Sequence, residues 1–434
     1  MIRATPKPAA RHGQQATPHP ALFVVKSLAL VLAVVLVSGA SVGAIATWQV
    51  FQEAQPTVDL VAPPGKSVAP PPALTAQSGA VNMLLVSTDT RTGQGAMFAD
   101  PADQKASTGV GNNDVNLLLH IAADHKSMQV VSFPRDLVIP IPDCPNDQGG
   151  LTPGSQAAMI NTAISRGGEK RGISCAAATV SKLTGLQIDY AAKITFLGTI
   201  AMSDAIGGVH VCLATDVVDN MVTPALDLKA GTQTLVGAQA MAFLRSRHGV
   251  GDASDLGRVS NQQTFMSAMM RQIVSGGTLG DPAKLYRLAT AMAKNVQLSS
   301  SLSPTTLAKI GLAVKSVGIS NITFLSYPVI DDPSDSAHVI PDPGPAAILD
   351  KALVSNQAVK LSPNSLGRAA VLAPGSGAST PATPSAPATA GGSSTGTPTT
   401  GTPTGTPVSP SGPAVLPDSV TGQNADQVTC AKKG

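Results

Sequence analysis

The sequence NMLLVSTDTR at residues 82–91 runs from an apolar stretch directly into two charged side chains, Asp89 and Arg91. A short apolar run of this kind is typical of a buried strand. Two similar runs follow, VNLLLHI at 115–121 and MQVVSF at 128–133, and the Asp-His-Lys sequence between them favours a hairpin turn. We therefore predict three strands whose ends carry charged residues.

Helical patterns alternate with further strands over the rest of the folded region. Apolar spacing predicts helices over 156–165, 176–183, 196–206, 237–244, 255–273, 283–293 and 304–317, and strands over 209–213 and 322–327. Gly185 and Gly207 end two of these helices, because glycine adopts the left-handed conformation that often follows a last helical turn. This order predicts an α/β domain in which helices flank a mixed central β-sheet.

Residues 27–48 carry no charge, and an apolar helix of about 20 residues crosses the ~30 Å hydrocarbon core of a membrane. Basic residues precede this stretch and acidic residues follow it. The bias predicts a single-pass transmembrane anchor, with residues 1–26 in the cytoplasm and the rest of the chain outside. The alternative is a cleaved signal peptide, since Ala44-Ile45-Ala46 fits a cleavage sequence.

Composition divides the remaining chain into three segments. Residues 49–79 are rich in Pro and Ala and are interpreted as a spacer. Residues 366–434 are dominated by Gly, Ser, Thr and Pro, which bury too little apolar surface to offset the entropy of ordering, so a disordered tail is expected. Residues 80–365 are left as the folded, extracytoplasmic domain.

The overall charge excludes one class of function. Lys and Arg total 29 against 26 Asp and Glu, a net charge of +3. Nonspecific nucleic-acid binding needs a strong basic surplus, so we expect no nucleic-acid partner. Charged residues make up only 13% of the chain, about half the usual ~25% share, which draws attention to the positions where they occur.

Several charged side chains stand where predicted strands and helices begin or end. They are Asp89, Arg91, Asp114, Arg135, Asp136, Arg245, Arg247 and Arg258, with Gln262 one helical turn after Arg258. Two carboxylates are able to hold Mg²⁺, and planar guanidinium groups match phosphate oxygens. A single such residue is usually a cap or a surface charge, but the set together is typical of a pyrophosphate site.

The order of these motifs resembles the LytR-CpsA-Psr (LCP) family. The matching pieces are NMLLVSTDTR at 82–91, NDVNLLLH at 113–120, SFPRD at 132–136, INTA at 160–163, LTG at 183–185, DY at 189–190, DAIGGV at 204–209, RSR at 245–247 and DLGRVSNQQ at 255–263. Together they cover essentially all of residues 80–330 in the family's order.

The resemblance implies a Mg²⁺-dependent phosphotransferase at the cell membrane. Such enzymes move an anionic glycopolymer from a polyprenyl pyrophosphate carrier to peptidoglycan and release polyprenyl phosphate. Carried over by position, the metal ligands are Asp89 and Asp114. The other roles are catalysis by Asp89, Arg135, Asp136, Arg245 and Arg247, and pyrophosphate binding by Arg91, Arg258 and Gln262. Asp89 and Asp136 are both candidates for the general base.

Two features depart from the family pattern. Asn261 stands where the family often has Arg, which removes one expected phosphate contact. Residues 92–112 form a long insert between Asp89 and Asp114, interpreted as a loop beside the site.

Two alternative functions remain for the same scaffold. One is a polyprenyl pyrophosphatase, and the other is a non-catalytic wall-binding or regulatory membrane protein.

A lipid carrier also requires an apolar groove. Candidate lining residues are Phe265, Met266, Met269, Met270 and Ile273 on the predicted long helix, together with the helix at 196–206. Ordinary core packing is the alternative interpretation, because an amphipathic helix needs such a stripe in any case.

The four cysteines have no spacing typical of a zinc site. Outside the cell, oxidation is permitted, and we predict a disulfide between Cys144 and Cys175. Cys212 is expected to be either a buried thiol or the partner of Cys430.

Overall fold

The structure, a computed structural model, describes residues 54–62, 69–75, 78–94, 107, 109–275, 281–376 and 412–434. The strands are β1 (Val81–Thr88), β2 (Asn113–Ile121), β3 (Met128–Phe133), β4 (Val138–Ile141), β5 (Cys144–Pro145), β6 (Leu151–Thr152), β7 (Ser155–Met159), β8 (Tyr190–Ile194), β9 (Val209–Leu213), β10 (Val217–Asp219), β11 (Leu226–Leu228), β12 (Gly231–Leu235), β13 (Val296–Leu298), β14 (Ile322–Ser326), β15 (Val329–Asp332), β16 (Asp335–Pro341), β17 (Val359–Lys360), β18 (Ala370–Leu372), β19 (Ala414–Val415), β20 (Gly422–Asn424) and β21 (Thr429–Ala431). The helices are α1 (Ala163–Thr184), α2 (Phe196–Ile206), α3 (Gly237–Arg245), α4 (Asp255–Ser275), α5 (Pro282–Asn295), α6 (Pro304–Val317) and α7 (Pro343–Val354).

A seven-stranded mixed sheet in the order β13-β8-β1-β2-β3-β14-β20 lies at the centre of the fold. β1, β2 and β3 are antiparallel neighbours, whereas β8 and β14 run parallel to β1 and β3. The predicted hairpin joins β2 and β3, with Leu119 opposite Val130. The predicted class, a mixed sheet flanked by helices, is therefore confirmed.

Helices cover both faces of this sheet. On one face Leu84 and Leu118 pack with Ile173 of α1 and Leu349 of α7 in a fully buried cluster. On the other face the sheet packs against α6 and α4. A second sheet, in the order β12-β9-β21-β18, lies beyond α4, and α4 contacts strands of both sheets. Contacts with both sheets therefore fix the position of α4.

One predicted helix is wrong. Residues 156–165 were expected to be helical, but Ser155–Met159 forms β7 and pairs with β4, with Ile139 opposite Ala158. A 3₁₀ turn follows at Ile160–Thr162, and α1 begins at Ala163. The Ala-rich segment has good helix propensity, but pairing with a distant strand overrides that local preference.

The prediction of a disordered tail over 366–434 is also wrong where the structure describes that segment. β18 lies within it, β20 pairs with β14, and β21 lies between β9 and β18. Leu416 and Val420 are buried in the main core. The low-complexity run at 377–411 lies outside the described residues and dominates the composition from which the tail was predicted.

The predicted spacer at 49–79 packs on the domain wherever it is described. Val58 donates its N–H to the Leu298 carbonyl at 2.9 Å and bridges to Ser299, and Leu74 is buried. The predicted cytoplasmic segment and anchor, residues 1–48, lie outside the described residues. Within the described part of the chain, no helix is both long enough and apolar enough to cross a membrane.

Both disulfides form between described cysteines. Cys144 is bonded to Cys175, as predicted, and Cys212 is bonded to Cys430, which was one of the two alternatives. The second bond joins residues 218 positions apart and connects β9 to β21. It therefore ties the last described segment of the chain to the second sheet.

A chain of polar side chains is buried near the start of β1 and the end of β2, two inner strands of the central sheet. His120 Nδ1 lies 2.7 Å from Asn82 Oδ1, and Asn82 Nδ2 donates to Asp189 Oδ2 at 3.1 Å. Since the Asn82 oxygen accepts, the neutral imidazole carries its proton on Nδ1. Burial lowers the pKa of His120 to about 4 and raises the pKa of the Asp189 carboxyl.

We predict that lowering the pH from about 6.5 to about 4 destabilises the fold through His120. Its folded pKa, about 4, lies below the unfolded value of 6.5, so the unfolded state binds more protons between these pH values. The free energy of unfolding should fall by ~1.4 kcal/mol for each unit by which the pH is lowered in that window, or ~3 kcal/mol in all.

Urea unfolding of the wild type and of His120→Gln, at pH 7 and pH 4.5, measures this. The Asp350 pKa is raised to about 6 and gives the opposite slope, so the difference between the two proteins is the informative quantity. Parallel pH dependences in the two proteins would refute the assignment.

Candidate functional site

A β-bulge places the first site carboxylate. Ser87 is opposite Val115 and Thr88 is opposite Asn113, so Asp114 is the extra residue of β2. Asn113 is buried and bonds the Ile160 carbonyl and the Ile164 N–H at the start of α1. The bulge thus anchors the start of β2 to α1 through Asn113 and leaves Asp114 unpaired in the ladder near the start of that strand.

Arg135 follows β3 and lies among three carboxylates. Its guanidinium is 3.3 Å from Asp114 Oδ1, 3.3 Å from Asp136 Oδ1 and 3.5 Å from Asp255 Oδ1. Arg258, on the first turns of α4, is 2.7 Å from Asp255 and 3.9 Å from Asp114. Two strands and one helix therefore meet through shared ion pairs.

The pKa shifts reflect this mutual proximity. Burial and the neighbouring Asp255 raise the pKa of Asp136, while Arg135, Arg247 and Arg258 oppose the rise. Arg247 is therefore part of the same cluster. Burial lowers the pKa of Arg258, against the pull of Asp255 and Asp114, but a guanidinium stays charged at neutral pH. We call Asp114, Arg135, Asp136, Arg247, Asp255 and Arg258 the arginine cluster.

Donors in this cluster are left over for a ligand. The Nε atoms of Arg247 and Arg258 are buried and have no hydrogen-bond partner among the described residues. Buried polar groups are nearly always paired, and the Arg135 Nε and both Asp255 carboxylate oxygens also lack a hydrogen-bond partner among the described residues, so the cluster has donors and acceptors available to a ligand. Phosphate oxygens accept such bonds in the forked geometry that arginine favours.

An apolar cavity of about 150 Å³ opens beside the arginine cluster. Asp114, Arg245 and Arg258 are among its lining residues, and most of the remaining wall is apolar. That wall includes Leu85, Leu117, Ile194, Phe196, Met202, Val209, Met241, Phe265, Met266 and Met269.

Most of the predicted groove is thus found, on α2 and α4. Phe265, Met266 and Met269 line the cavity as predicted, whereas Met270 and Ile273 are not among the residues that line it. Met270 packs instead against the core beneath the central sheet.

The other predicted residues lie around this centre. The Arg245 guanidinium lies over the Phe196 ring, 4.6 Å from its centroid, at the cavity wall. Gln262 donates to the Leu244 carbonyl at 3.0 Å and so ties α4 to the end of α3. The preceding residue, Asn261, is fully buried and donates to the Phe243 carbonyl, so that position faces α3.

Asp89 and Arg91 lie in the loop after β1. Asp89 Oδ1 accepts bonds from Ser107 Oγ at 2.8 Å and from the Asn112 N–H at 2.6 Å. The Arg91 carbonyl accepts the Gln94 N–H at 3.2 Å. Asp89 therefore holds Ser107 and Asn112 of the 92–112 insert in place, just before the start of β2 and Asp114.

Sequence reasoning missed Asp255 as a site residue. It was interpreted only as the start of a helix, although it lies three residues before Arg258, the spacing that brings two helical side chains together. That spacing was the available signal. Asp255 contacts both Arg135 and Arg258 and joins them into one cluster.

Two carboxylates, Asp89 and Asp114, have the oxygen donors that a magnesium ion takes. Among the described residues, no group of three or more His, Cys, Asp or Glu side chains forms a metal cage. Mg²⁺ usually takes only one or two carboxylates and completes its shell with water and substrate phosphates. Asp89 directly follows β1, and Asp114 is the second residue of β2, the strand paired with β1.

The LytR_cpsA_psr family model matches residues 51–343 of this chain. The cell wall biosynthesis protein LcpA of Corynebacterium glutamicum is 30% identical over 344 residues, which cover 75% of this chain and 63% of that protein. The polyisoprenyl-teichoic acid–peptidoglycan teichoic acid transferase TagT of Bacillus subtilis is 25% identical over 225 residues, covering 51% and 60%.

A solved structure, the LytR-Csp2A-Psr enzyme from Actinomyces oris, aligns with a TM-score of 0.49 and 19% identity over 69% of this chain and 96% of that one. The alignments with the two sequence relatives span less than two thirds of their own lengths.

We predict that the arginine cluster binds inorganic pyrophosphate. Arg135→Ala removes a guanidinium that contacts three carboxylates, and should weaken binding by 10- to 100-fold, since a charged hydrogen bond contributes about 1.5–3 kcal/mol. Isothermal titration calorimetry at fixed ionic strength measures the affinity.

The matched control is Arg287→Ala, which removes the same charge from an exposed position on α5. Equal loss in both variants would mean that pyrophosphate binds by net charge alone and not at the cluster.

Proposed function

The chain belongs to the LytR-CpsA-Psr family, and from this premise we propose that it transfers an anionic glycopolymer from a polyprenyl pyrophosphate carrier to peptidoglycan. Relatives named as polyisoprenyl-teichoic acid–peptidoglycan transferases support this reaction class.

The observation that carries the proposal is the junction of two environments. Asp114, Arg245 and Arg258 belong to the wall of a cavity whose other lining is mainly apolar. A ligand that fills both parts needs an anionic head and an apolar tail joined directly. A polyprenyl pyrophosphate has this chemistry, whereas a soluble nucleotide or sugar phosphate lacks the tail.

The reaction balances as a phosphoryl transfer. A peptidoglycan sugar hydroxyl attacks the phosphorus next to the glycopolymer, a new P–O bond forms, and the bond to the bridging oxygen breaks. Polyprenyl phosphate leaves, and the hydroxyl proton passes to a carboxylate. Asp136 suits that role because its pKa is raised, and Asp89 is the alternative base.

The guanidinium groups act mainly through charge and position. Arg135, Arg247 and Arg258 hold the pyrophosphate oxygens and stabilise the charge that develops on the leaving phosphate. Arg245 and Arg91 extend this set toward the two sides of the site. Gln262 holds the end of α3 through the Leu244 carbonyl and so sets where Arg245 lies.

Magnesium completes the proposal. Asp89 and Asp114 would hold it, and when bound it would neutralise part of the charge on the pyrophosphate. The arginine cluster itself pairs three guanidinium groups with three carboxylates, so it has little net charge of its own. A dianionic or trianionic ligand therefore gains from an additional cation.

The proposed location is the outer face of the cell membrane. Two disulfides among the described residues fit an oxidising compartment. The uncharged stretch at 27–48, with basic residues before it, supplies the single-pass anchor of this proposal. A lipid-linked donor and a wall acceptor are both present there.

Purified full-length protein in detergent, with a polyprenyl pyrophosphate-linked glycan, uncrosslinked peptidoglycan and Mg²⁺, tests the reaction. We expect glycan-labelled peptidoglycan and an equal amount of polyprenyl phosphate. Label should be lost in Arg135→Ala and in Asp114→Ala and strongly reduced by chelation, whereas Arg287→Ala should retain it.

Each alternative gives a different result. Polyprenyl phosphate released without labelled wall would identify a pyrophosphatase, in which water replaces the sugar hydroxyl. Tight wall binding without turnover would identify a non-catalytic scaffold. Either result contradicts the proposed transfer.

The apolar cavity gives a second prediction. Met269→Trp fills space in the cavity wall and should raise KM for a long-chain polyprenyl donor by about tenfold, since a small change in what an apolar pocket accepts is worth about 1–3 kcal/mol of binding. A donor with a short isoprenoid chain should be affected much less.

Met221→Trp is the matched control, because Met221 is 76% exposed and outside the cavity. Equal effects of Met269→Trp on both donors would show that the tail does not enter the cavity.

A further inference from the structure

Residues 412–434 form a segment that adds a strand to the central sheet and a strand to the second sheet. We call this stretch the clamp segment. β20 adds to the central sheet beside β14, and β21 adds to the second sheet beside β9 and β18. The family match ends at residue 343, so the clamp segment lies beyond the part of the chain that the family model describes.

The segment contacts α4 along one stripe of the helix. Gln263, Ser267 and Arg271 are spaced four residues apart and therefore share a face. Arg271 Nη1 donates to the Ala425 carbonyl at 2.9 Å and to the Gln427 carbonyl at 2.7 Å. The same helix carries Asp255 and Arg258, so its placement sets part of the arginine cluster.

Lys432 and Gly434 contact the loop that connects Arg247 to Asp255, two members of the arginine cluster. We call residues 247–255 the site loop, because Arg247 begins it and Asp255 ends it. The Gly251 N–H donates to the Lys432 carbonyl at 2.8 Å, and the Gly434 N–H donates to the Gly251 carbonyl at 2.6 Å. Gly251, in the middle of the site loop, is therefore hydrogen-bonded to the clamp segment through both its N–H and its carbonyl.

The approach at this point is close. Gly251 has φ +53°, and a Cβ there would meet Ala369 at 3.1 Å and Gly257 at 3.1 Å. A second tie is the ion pair of Arg368 with Asp252 at 2.7 Å. Lys433 also donates its N–H to Thr215 Oγ1 at 2.8 Å, which connects the segment to the residues just after β9.

We propose that the clamp segment is a positioning element for the proposed transfer reaction. It fixes the site loop at Gly251 and fixes α4 through Arg271, and so sets the distance between Arg247 and the Asp255–Arg258 pair. The guanidinium groups must bracket one pyrophosphate, and a displacement of about 1 Å costs a reaction of this kind ~10²-fold. The segment touches no reacting atom, and its role is geometric.

The clamp segment can be released without changing any residue that the structure describes. A protease site is inserted within residues 385–400, and the purified full-length protein is cut there. The segment then stays attached only by the Cys212–Cys430 disulfide and noncovalent contacts. Added reductant frees it in the cut protein, and uncut protein with reductant is the matched control because it loses both disulfides and keeps its chain.

Two measurements are made on the cut and uncut proteins. Hydrogen exchange should accelerate at Gly251 and over residues 252–258 only in the cut, reduced protein, and not in the β4–β7 hairpin. The kcat/KM for lipid-linked donor should fall by ~10²-fold in the same sample. Added synthetic peptide with the sequence of residues 412–434 should restore both.

The two measurements separate failure of the clamp proposal from failure of the proposed transfer reaction. Exchange needs no substrate, so it tests the clamp even if no transfer is found. Unchanged exchange in the site loop after verified release, or unchanged kcat/KM in an enzyme that is active when uncut, would overturn the proposal.

A milder variant covers the case in which the released protein unfolds. Ending the chain at Lys432 removes the Gly434 bond to Gly251 and the Lys433 N–H bond to Thr215, and it keeps the disulfide. Lys433→Ala in the full chain is its control, because the backbone bonds remain. Faster exchange at Gly251 and a lower kcat/KM are expected only in the shortened chain, and equal behaviour of the two variants would also refute the clamp.

Discussion

The site depends on the requirement that a buried guanidinium keep a carboxylate partner. The Arg258 side chain is only 6% exposed, and it lies 2.7 Å from Asp255. An unpaired charge at this depth would cost several kcal/mol, and Arg258 has one carboxylate partner on its own helix, Asp255, and a second on β2, Asp114. Asp114 and Asp255 each contact both Arg135 and Arg258, which makes the junction of β2, β3 and α4 cooperative.

Such a balanced cluster suits a site that must bind and release an anion. Carboxylates hold the guanidinium groups in place before substrate arrives, which reduces the ordering cost of binding. In the proposed reaction they would also compete with the incoming phosphate, so the proposal requires affinity from the unpaired Nε donors, from a metal and from the lipid tail together. In that proposal, the apolar cavity beside Arg258 contributes binding energy that does not depend on charge.

Local patterns predicted the elements that carry the site, and they failed where the deciding contact is distant in sequence. β1 to β3, α2 and α4 have apolar periodicities that specify one structure. Ser155–Met159 reads as helix because its preference for β4 is not visible locally. Asp255 was missed for a related reason, since its partner Arg135 lies on another element, 120 positions earlier in the chain.

The clamp segment shows the same limit at the level of whole segments. A short piece of chain buries too little apolar surface to fold alone, and composition correctly reports that fact. Its order comes instead from edges that already exist: β14 and β9 offer backbone partners, and Cys212 offers a covalent one. The composition of a segment indicates how much apolar surface that segment is able to bury by itself. A strand that adds to an existing sheet needs only an edge strand with unpaired backbone groups. The single cysteine at position 430 was therefore the most informative residue in a stretch that otherwise resembles a disordered tail.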